Sequence, residues 1–131
     1  MGWNAIGIFL IKKEVIKIKL DLLKIKDKKL LNLLVGRDSG MTTLRILDDI
    51  LEEPKNANQL SITLNLNYNT IRHHTKKLCE HNYIYRIKEG KAYYYYPDKK
   101  LYNNLNEYKH IKDYLIQKKG VKYEKWNGWK T

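Results

Sequence analysis

The stretch NYNTIRHHTKKLCEHNYI, residues 67–84, fits either a metal-binding helix or a helix that reads DNA. The choice between these two interpretations decides the fold. It contains His73, His74, His81 and the only cysteine of the chain, Cys79. Ligands on one helix share a face when they lie three or four residues apart, and structural zinc takes four ligands from close pairs. Cys79 lies five or six residues from the first two histidines and two from the third. The spacing therefore predicts no metal site, with Cys79 an ordinary thiol and His74 a half-buried, hydrogen-bonded residue.

The ends of the same stretch carry the signals of a helix over residues 68–81. The side chain of Asn67 can accept a hydrogen bond from an unpaired amide and so cap the helix. Asn82 tolerates the left-handed conformation that commonly follows a helix. When Ile71 and Leu78 point inward, most outward positions fall in the first two turns. These outward residues are Tyr68, Asn69, Arg72, His73 and Lys76.

The outward residue types suit the edges of DNA bases. The N-terminal part of a recognition helix is the part that reaches base edges in the major groove. Arginine can bind guanine with two hydrogen bonds, and asparagine can bind adenine in the same way. The pattern therefore predicts a recognition helix.

Two β-rich runs around Glu89 and Gly90 predict a hairpin over residues 83–96. Its basic residues surround the tip, where they would contact phosphates or the minor groove. These are Arg86, Lys88 and Lys91. Successive tyrosines in a strand point to opposite faces. For the run at residues 93–96 we therefore expect two tyrosines on the core and two outward, rather than a stacking platform for single strands.

Two further helices precede the stretch. The apolar residues at positions 44, 47, 50 and 51 predict an amphipathic helix that ends near Pro54. A short helix follows over residues 57–65. Residues 67–96 carry six basic and two acidic residues, whereas residues 41–53 carry one basic and four acidic residues. This asymmetry predicts one side that faces DNA and one that does not.

This order of helices and hairpin resembles the winged helix-turn-helix of ArsR-like transcriptional regulators of the archaeal type. The match spans residues 44–97. The matching residues are Leu60, Leu64, Leu66, Thr70, Ile71, His74, Leu78 and Ile84. The resemblance implies a mainly α fold with a small β-hairpin wing, flanked by N- and C-terminal helices, and a sequence-specific regulator that binds double-stranded DNA.

Thr75 stands where the family usually has leucine, and its hydroxyl can bond to the carbonyl of Ile71. The paired cysteine motif of the metal-sensing members is missing from the second helix, so metal sensing is not implied.

The flanks predict three parts: residues 1–40 as an N-terminal helix and linker, 41–97 as the DNA-binding domain, and 98–131 as a C-terminal helix and tail. An apolar stripe indicates one helix face near the N-terminus, although VIKIKLDL, residues 15–22, also fits a strand. The stripe is Ile8, Ile11, Val15, Ile18, Leu22 and Ile25. We expect it to form a homodimer interface with Leu105, Tyr108 and Leu115, since the GRDSG segment at 36–40 would leave the helix free to reach a partner. Packing on its own domain and contact with a membrane surface stay open.

Composition narrows the class of function. Lysine and arginine number 26 against 14 acidic residues, a net charge of +12, which favours a polyanionic partner. Two alternatives remain open: a non-specific chromatin or RNA protein, and a peripheral membrane protein whose N-terminal lysines contact anionic lipid.

The single cysteine favours the reducing cytoplasm. The apolar run at residues 5–11 is far shorter than the roughly 20 residues that span a bilayer. Since neither a catalytic serine constellation nor a glycine-rich phosphate loop is visible, we expect no enzyme and no cofactor.

Overall fold

The computed structural model describes residues 22–36 and 39–119. These residues form six helices and one three-stranded antiparallel sheet, which confirms a mainly α fold with a small hairpin wing. The elements are α1 (Lys28–Val35), α2 (Gly40–Glu52), β1 (Lys55–Asn56), α3 (Ala57–Leu64), α4 (Tyr68–Glu80), β2 (Ile84–Glu89), β3 (Ala92–Pro97), α5 (Lys99–Tyr102) and α6 (Leu105–Lys119).

Local capping explains where α3 and α4 begin. The side chain of Asn56 accepts a hydrogen bond from the Gln59 amide at 2.8 Å, and the Gln59 side chain accepts one from the Asn56 amide at 3.0 Å. Asn67 caps α4 by accepting from the Asn69 amide at 2.8 Å. Asn82, with φ of 63°, takes the left-handed conformation after α4. The helices predicted over residues 57–65 and 68–81 are confirmed, and each ends one residue earlier than predicted.

Helices α2, α3 and α4 enclose one apolar core. Their inward side chains are almost completely buried, and each contributes roughly 1.5–3 kcal/mol to folding. They are Leu44, Ile46, Leu47, Ile50, Leu60, Leu64, Ile71 and Leu78.

The wing is a tight hairpin with a third short strand at its inner edge. The strand order is β1-β3-β2, and Arg86 pairs with Tyr95 while Glu89 pairs with Ala92. Gly90, with φ of +66°, takes the left-handed conformation that a two-residue turn requires. Strand β1 was not predicted, because two residues are too short to show alternation.

The four wing tyrosines do not divide as predicted. Only Tyr95 is buried, whereas Tyr94 and Tyr96 are half-buried on the opposite face and Tyr93 is 41% exposed. The prediction of two tyrosines on the core was therefore wrong. Tyr93 lies two residues nearer the hairpin tip than Tyr95.

A buried contact joins the wing to α4. Thr75 is fully buried, and its hydroxyl donates to the carbonyl of Ile71 at 2.8 Å, as predicted. The hydroxyl oxygen of Tyr95 lies 3.2 Å from that of Thr75. The residue that departs from the family pattern therefore bonds to the wing.

The N-terminal stripe does not run along one continuous helix. The described part leaves the helical conformation after Leu23, and Ile25 is buried in a non-helical segment before α1. Asp27 caps α1 by accepting from the Leu30 amide at 3.1 Å. The stripe residues before Leu22 lie outside the described residues.

Helix α1 packs against α2, so the idea of a free linker is wrong for this part of the chain. The apolar residues Leu30, Leu33 and Leu34 of α1 are buried in the common core. A side chain on Gly40 would lie 1.8 Å from the carbonyl oxygen of Leu34, so only glycine permits this close approach.

The C-terminal residues predicted for a dimer interface were Leu105, Tyr108 and Leu115. Tyr108 and Leu115 are at most 3% exposed within the single chain, whereas Leu105 is half-buried. The predicted helix is also divided at residues 103–104 into α5 and α6. The interior of the protomer buries Tyr108 and Leu115, so the prediction was wrong for these two residues.

Two of the four acidic residues in the predicted acidic segment, residues 41–53, are inside the protein. The carboxylate of Asp48 lies 2.8 Å from the ammonium of Lys112, and that of Asp49 lies 2.9 Å from the ammonium of Lys55. Both aspartates are at most 5% exposed, whereas Glu52 and Glu53 are exposed. The predicted acidic side thus exists only in part, because two of its charges are paired in the core.

The hydroxyl of Tyr108 generates a prediction about pH. It donates to Asp48, and burial, followed by that carboxylate, raises the pKa of Tyr108 well above its ordinary value. A folded pKa above the unfolded one means that the stabilising contribution is complete below pH 10 and is lost as pH rises further. At pH 11 we expect a loss of about 1.4 kcal/mol from this tyrosine alone. Urea unfolding at pH 8 and pH 11 should show a loss of stability that is smaller in Tyr108→Phe, by about this amount, than in the wild type and in the exposed control Tyr102→Phe. Equal losses in all three proteins would contradict the assignment.

Candidate nucleic-acid interface

Helix α4 presents a polar face to solvent, because its other face is fixed in the core by Ile71, Thr75 and Leu78. The five residues predicted to face outward are all exposed. They are Tyr68, Asn69, Arg72, His73 and Lys76.

Within this face Tyr68 and Arg72 contact one another across one turn. A guanidinium nitrogen of Arg72 donates to the hydroxyl of Tyr68 at 3.4 Å, and the guanidinium carbon lies 6.0 Å from the ring centre. The hydrogen bond to Tyr68 raises the pKa of Arg72, which is charged at any physiological pH. A permanent positive charge therefore lies near the first turn of α4.

His74 lies on the side of α4 that faces α2. It is half-buried, and its Nδ1 lies 3.1 Å from the hydroxyl of Thr43. This confirms the prediction of a hydrogen-bonded, half-buried histidine. His73 is exposed, with its ring 5.7 Å from that of His74 in an edge-on arrangement.

The wing places its basic residues on the surface. Arg86 and Lys88 share one face of β2 with their cross-strand partners Tyr95 and Tyr93, and Lys91 lies in the turn. All three basic side chains are exposed. The guanidinium of Arg86 lies 4.3 Å from the centre of the Tyr93 ring.

A concave surface runs between α4 and the wing. It consists of two adjoining depressions, and Arg72, Arg86 and Tyr95 line both of them. The first depression is also lined by four residues of α4: His73, Lys76, Cys79 and Glu80. The second is also lined by Tyr68 of α4 and by residues of the wing and of the start of α3, which include Asn58, Lys91 and Tyr93.

Of the predicted residues, six line these depressions, while Asn69 and Lys88 do not. Sequence reasoning missed Asn58 and Tyr93. Asn58 comes near the wing only because β1 pairs with β3, which the sequence does not reveal. Tyr93 could have been found from the alternation of β3, which puts it on the face of Arg86.

Other chemistry has little support among the described residues. No group of three histidine, cysteine or acidic side chains lies close enough together there to hold a metal ion. Burial raises the pKa of the Cys79 thiol, which disfavours the reactive thiolate. In the described part of the chain, no helix has the length and apolar character needed to cross a bilayer.

Solved structures of transcriptional regulators have a similar fold. The regulator BldR from Sulfolobus solfataricus aligns with a TM-score of 0.56 and 18% identity, over 82% of this chain and 80% of its own. A probable transcriptional regulator from Pseudomonas aeruginosa aligns with a TM-score of 0.55 and 18% identity, over 68% and 70%. A MarR transcriptional regulator from Methanosarcina mazei Go1 aligns with a TM-score of 0.55 and 16% identity, over 84% and 83%.

No protein-family model matches the sequence, and no curated protein matches it at a significant level. Since the identities to the solved structures are below 25%, the likeness concerns the fold. The chain therefore has the winged-helix architecture of these regulators, with a helix-turn-helix and a small three-stranded sheet.

Proposed function

We propose that this protein is a transcriptional regulator that binds double-stranded DNA in a sequence-specific manner, with α4 in the major groove and the wing, residues 83–96, on the backbone or in the minor groove. The observation that carries the proposal is the concave surface between α4 and the wing, which combines several cations with exposed hydrogen-bonding side chains. Phosphates attract the cations without regard to sequence, and base edges are read by the polar side chains.

The similar solved structures support the regulatory part of the proposal, because each is described as a transcriptional regulator. The narrower ArsR-like assignment is also a proposal, which rests on the matching residues of α3, α4 and the start of β2. A regulator of transcription acts where the chromosome is. We propose that the protein is located in the reducing cytoplasm, and a single half-buried thiol, Cys79, is compatible with that location.

The first prediction concerns salt. Four basic residues of α4 and the wing are candidates for phosphate contact, and each contact releases bound counterions when it forms. They are Lys76, Arg86, Lys88 and Lys91. The logarithm of the affinity for duplex DNA should fall linearly with the logarithm of salt concentration, with a slope of about −3 to −4. Fluorescence anisotropy over a series of salt concentrations measures the slope, and an affinity independent of salt would exclude the DNA-binding proposal.

The second prediction separates base reading from phosphate contact. Arg72→Ala should relax the preference at one base pair and cost about 1–3 kcal/mol on the best site. Lys88→Ala should weaken all sequences about equally, because phosphates carry no sequence information.

In vitro selection from a random duplex library, performed with the wild type and both variants, measures these preferences. An unchanged preference in Arg72→Ala would show that α4 does not read bases through this residue. A wild type that selects no sequence would favour the alternative of a non-specific nucleic-acid binder.

We also propose a homodimer formed through the N-terminal segment. Leu23 is 75% exposed, directly after the stripe residue Leu22, which packs on the core. An exposed leucine that continues an apolar pattern is a suitable contact for a second copy. A symmetric dimer would place two α4 helices about 34–36 Å apart, one turn of DNA.

The third prediction tests this dimer by sedimentation. Leu23→Asp should shift the wild-type dimer toward the monomer at micromolar concentration, because it places a charge in the interface. Ile62→Asp is the matched control, since Ile62 is 73% exposed in α3, far along the chain from the stripe. A wild-type monomer, or an equal shift in both variants, would refute the dimer and leave the DNA-binding proposal in place.

A further inference from the structure

The concave surface between α4 and the wing has a consequence for DNA, if the proposed function holds. A helix in the major groove and a wing in the adjacent minor groove lie on opposite sides of one strand. The sugar-phosphate backbone that separates the two grooves must then pass between them. In this protein that space is the concave surface over Tyr95, and its two depressions meet there.

Arg86 lies in this space and not at the tip of the wing. It pairs with Tyr95, whereas the hairpin closes at the pair Glu89 and Ala92. Three residues of extended strand put Arg86 about 10 Å from the end of the ladder. It lines both depressions together with Arg72 of the facing helix. The sequence had grouped Arg86 with Lys88 and Lys91 around the tip, so its position differs from that expectation.

Tyr93 restricts where the guanidinium of Arg86 can point. The two residues share a face of the hairpin, and the guanidinium lies 4.3 Å from the centre of the ring. A cation over an aromatic face is attracted by the electrons of the ring. A guanidinium that lies over a ring keeps N–H groups at its outer edge, and these can form two parallel bonds to phosphate oxygens.

The charge of the surroundings suits a phosphate. The depression on the α4 side is lined by the cations Arg72, Lys76 and Arg86 and by one carboxylate, Glu80. A single phosphate would thus meet a positive surface.

We propose that Arg86 binds the backbone phosphate that passes between α4 and the wing, and that Tyr93 is the positioning residue that holds Arg86 in place. Arg86 contributes affinity and register, whereas Arg72 contributes sequence preference.

The first test compares two substitutions of Tyr93 by fluorescence anisotropy. The probes are fluorescein-labelled duplexes of about two helical turns, one with the selected sequence and one with an unrelated sequence. Tyr93→Leu removes the ring and should weaken both probes by the same factor, about two- to five-fold. Tyr93→Phe keeps the ring and should stay within about two-fold of the wild type. Exposed Tyr102→Leu is the control for losing a surface tyrosine and should bind as the wild type does.

The second test identifies the phosphate. Single methylphosphonates, which carry no charge, replace the phosphates of the selected probe one at a time. At one position the replacement should weaken the wild type and leave Arg86→Ala unaffected, because the contact is already lost. The salt slope of Arg86→Ala should also be smaller by about one. Tyr93→Leu combined with Arg86→Ala should bind no more weakly than Arg86→Ala alone.

The outcomes separate this proposal from the proposed function. If the wild type binds duplex DNA but no methylphosphonate position couples to Arg86, the phosphate role is wrong and the regulator proposal stands. A changed sequence preference in Tyr93→Leu, or additive losses in the double variant, would also overturn it. If the wild type binds no duplex, both proposals fail together.

Discussion

The buried contact between Thr75 and Tyr95 sets the geometry on which the rest of the surface depends. Thr75 lies in the middle of α4, and Tyr95 lies in the central strand of the sheet. Buried hydroxyls need partners, since an unpaired one costs about 1–3 kcal/mol. The two hydroxyls and the carbonyl of Ile71 satisfy one another, which favours one position of the wing relative to the helix. A leucine at position 75, as in the resembling family, would fill space but would leave the tyrosine hydroxyl without this partner.

The base of the wing is held from the other side by Asp27. Its carboxylate accepts a hydrogen bond at 2.8 Å from the hydroxyl of Tyr83, which lies one residue before β2. The same carboxylate caps α1. Glu107 of α6 accepts from the Asp27 amide at 3.2 Å. The segments that flank the helix-turn-helix in sequence therefore meet at the start of the wing. Burial, and then the bond to Asp27, raises the pKa of Tyr83, so this phenol keeps its proton as a donor.

Sequence patterns predicted the elements whose signals are local. Caps at Asn67 and Asn82 and the turn glycine Gly90 are readable because each acts on its immediate neighbours. Helical spacing likewise predicted which side of α4 is exposed. Features that depend on distant partners were not predicted. The strand β1 was missed, and so was the pairing of buried α2 carboxylates with lysines from other elements. The position of the Arg86 guanidinium over the ring of Tyr93 belongs to this second kind, because it requires the strand register.

The open space around Gly90 bears on how proteins of this architecture can diverge. A side chain placed there would meet no atom within 4 Å, so the turn is free of packing constraints. Since side chains alternate with a period of two, adding an even number of residues to each strand lengthens the hairpin by about 3.3 Å per residue and preserves every face. Such insertions would extend the reach of the tip while Arg86, Tyr93 and the contact with α4 keep their places. Natural variation could therefore change how far the tip extends from the helices without rebuilding the domain that carries it.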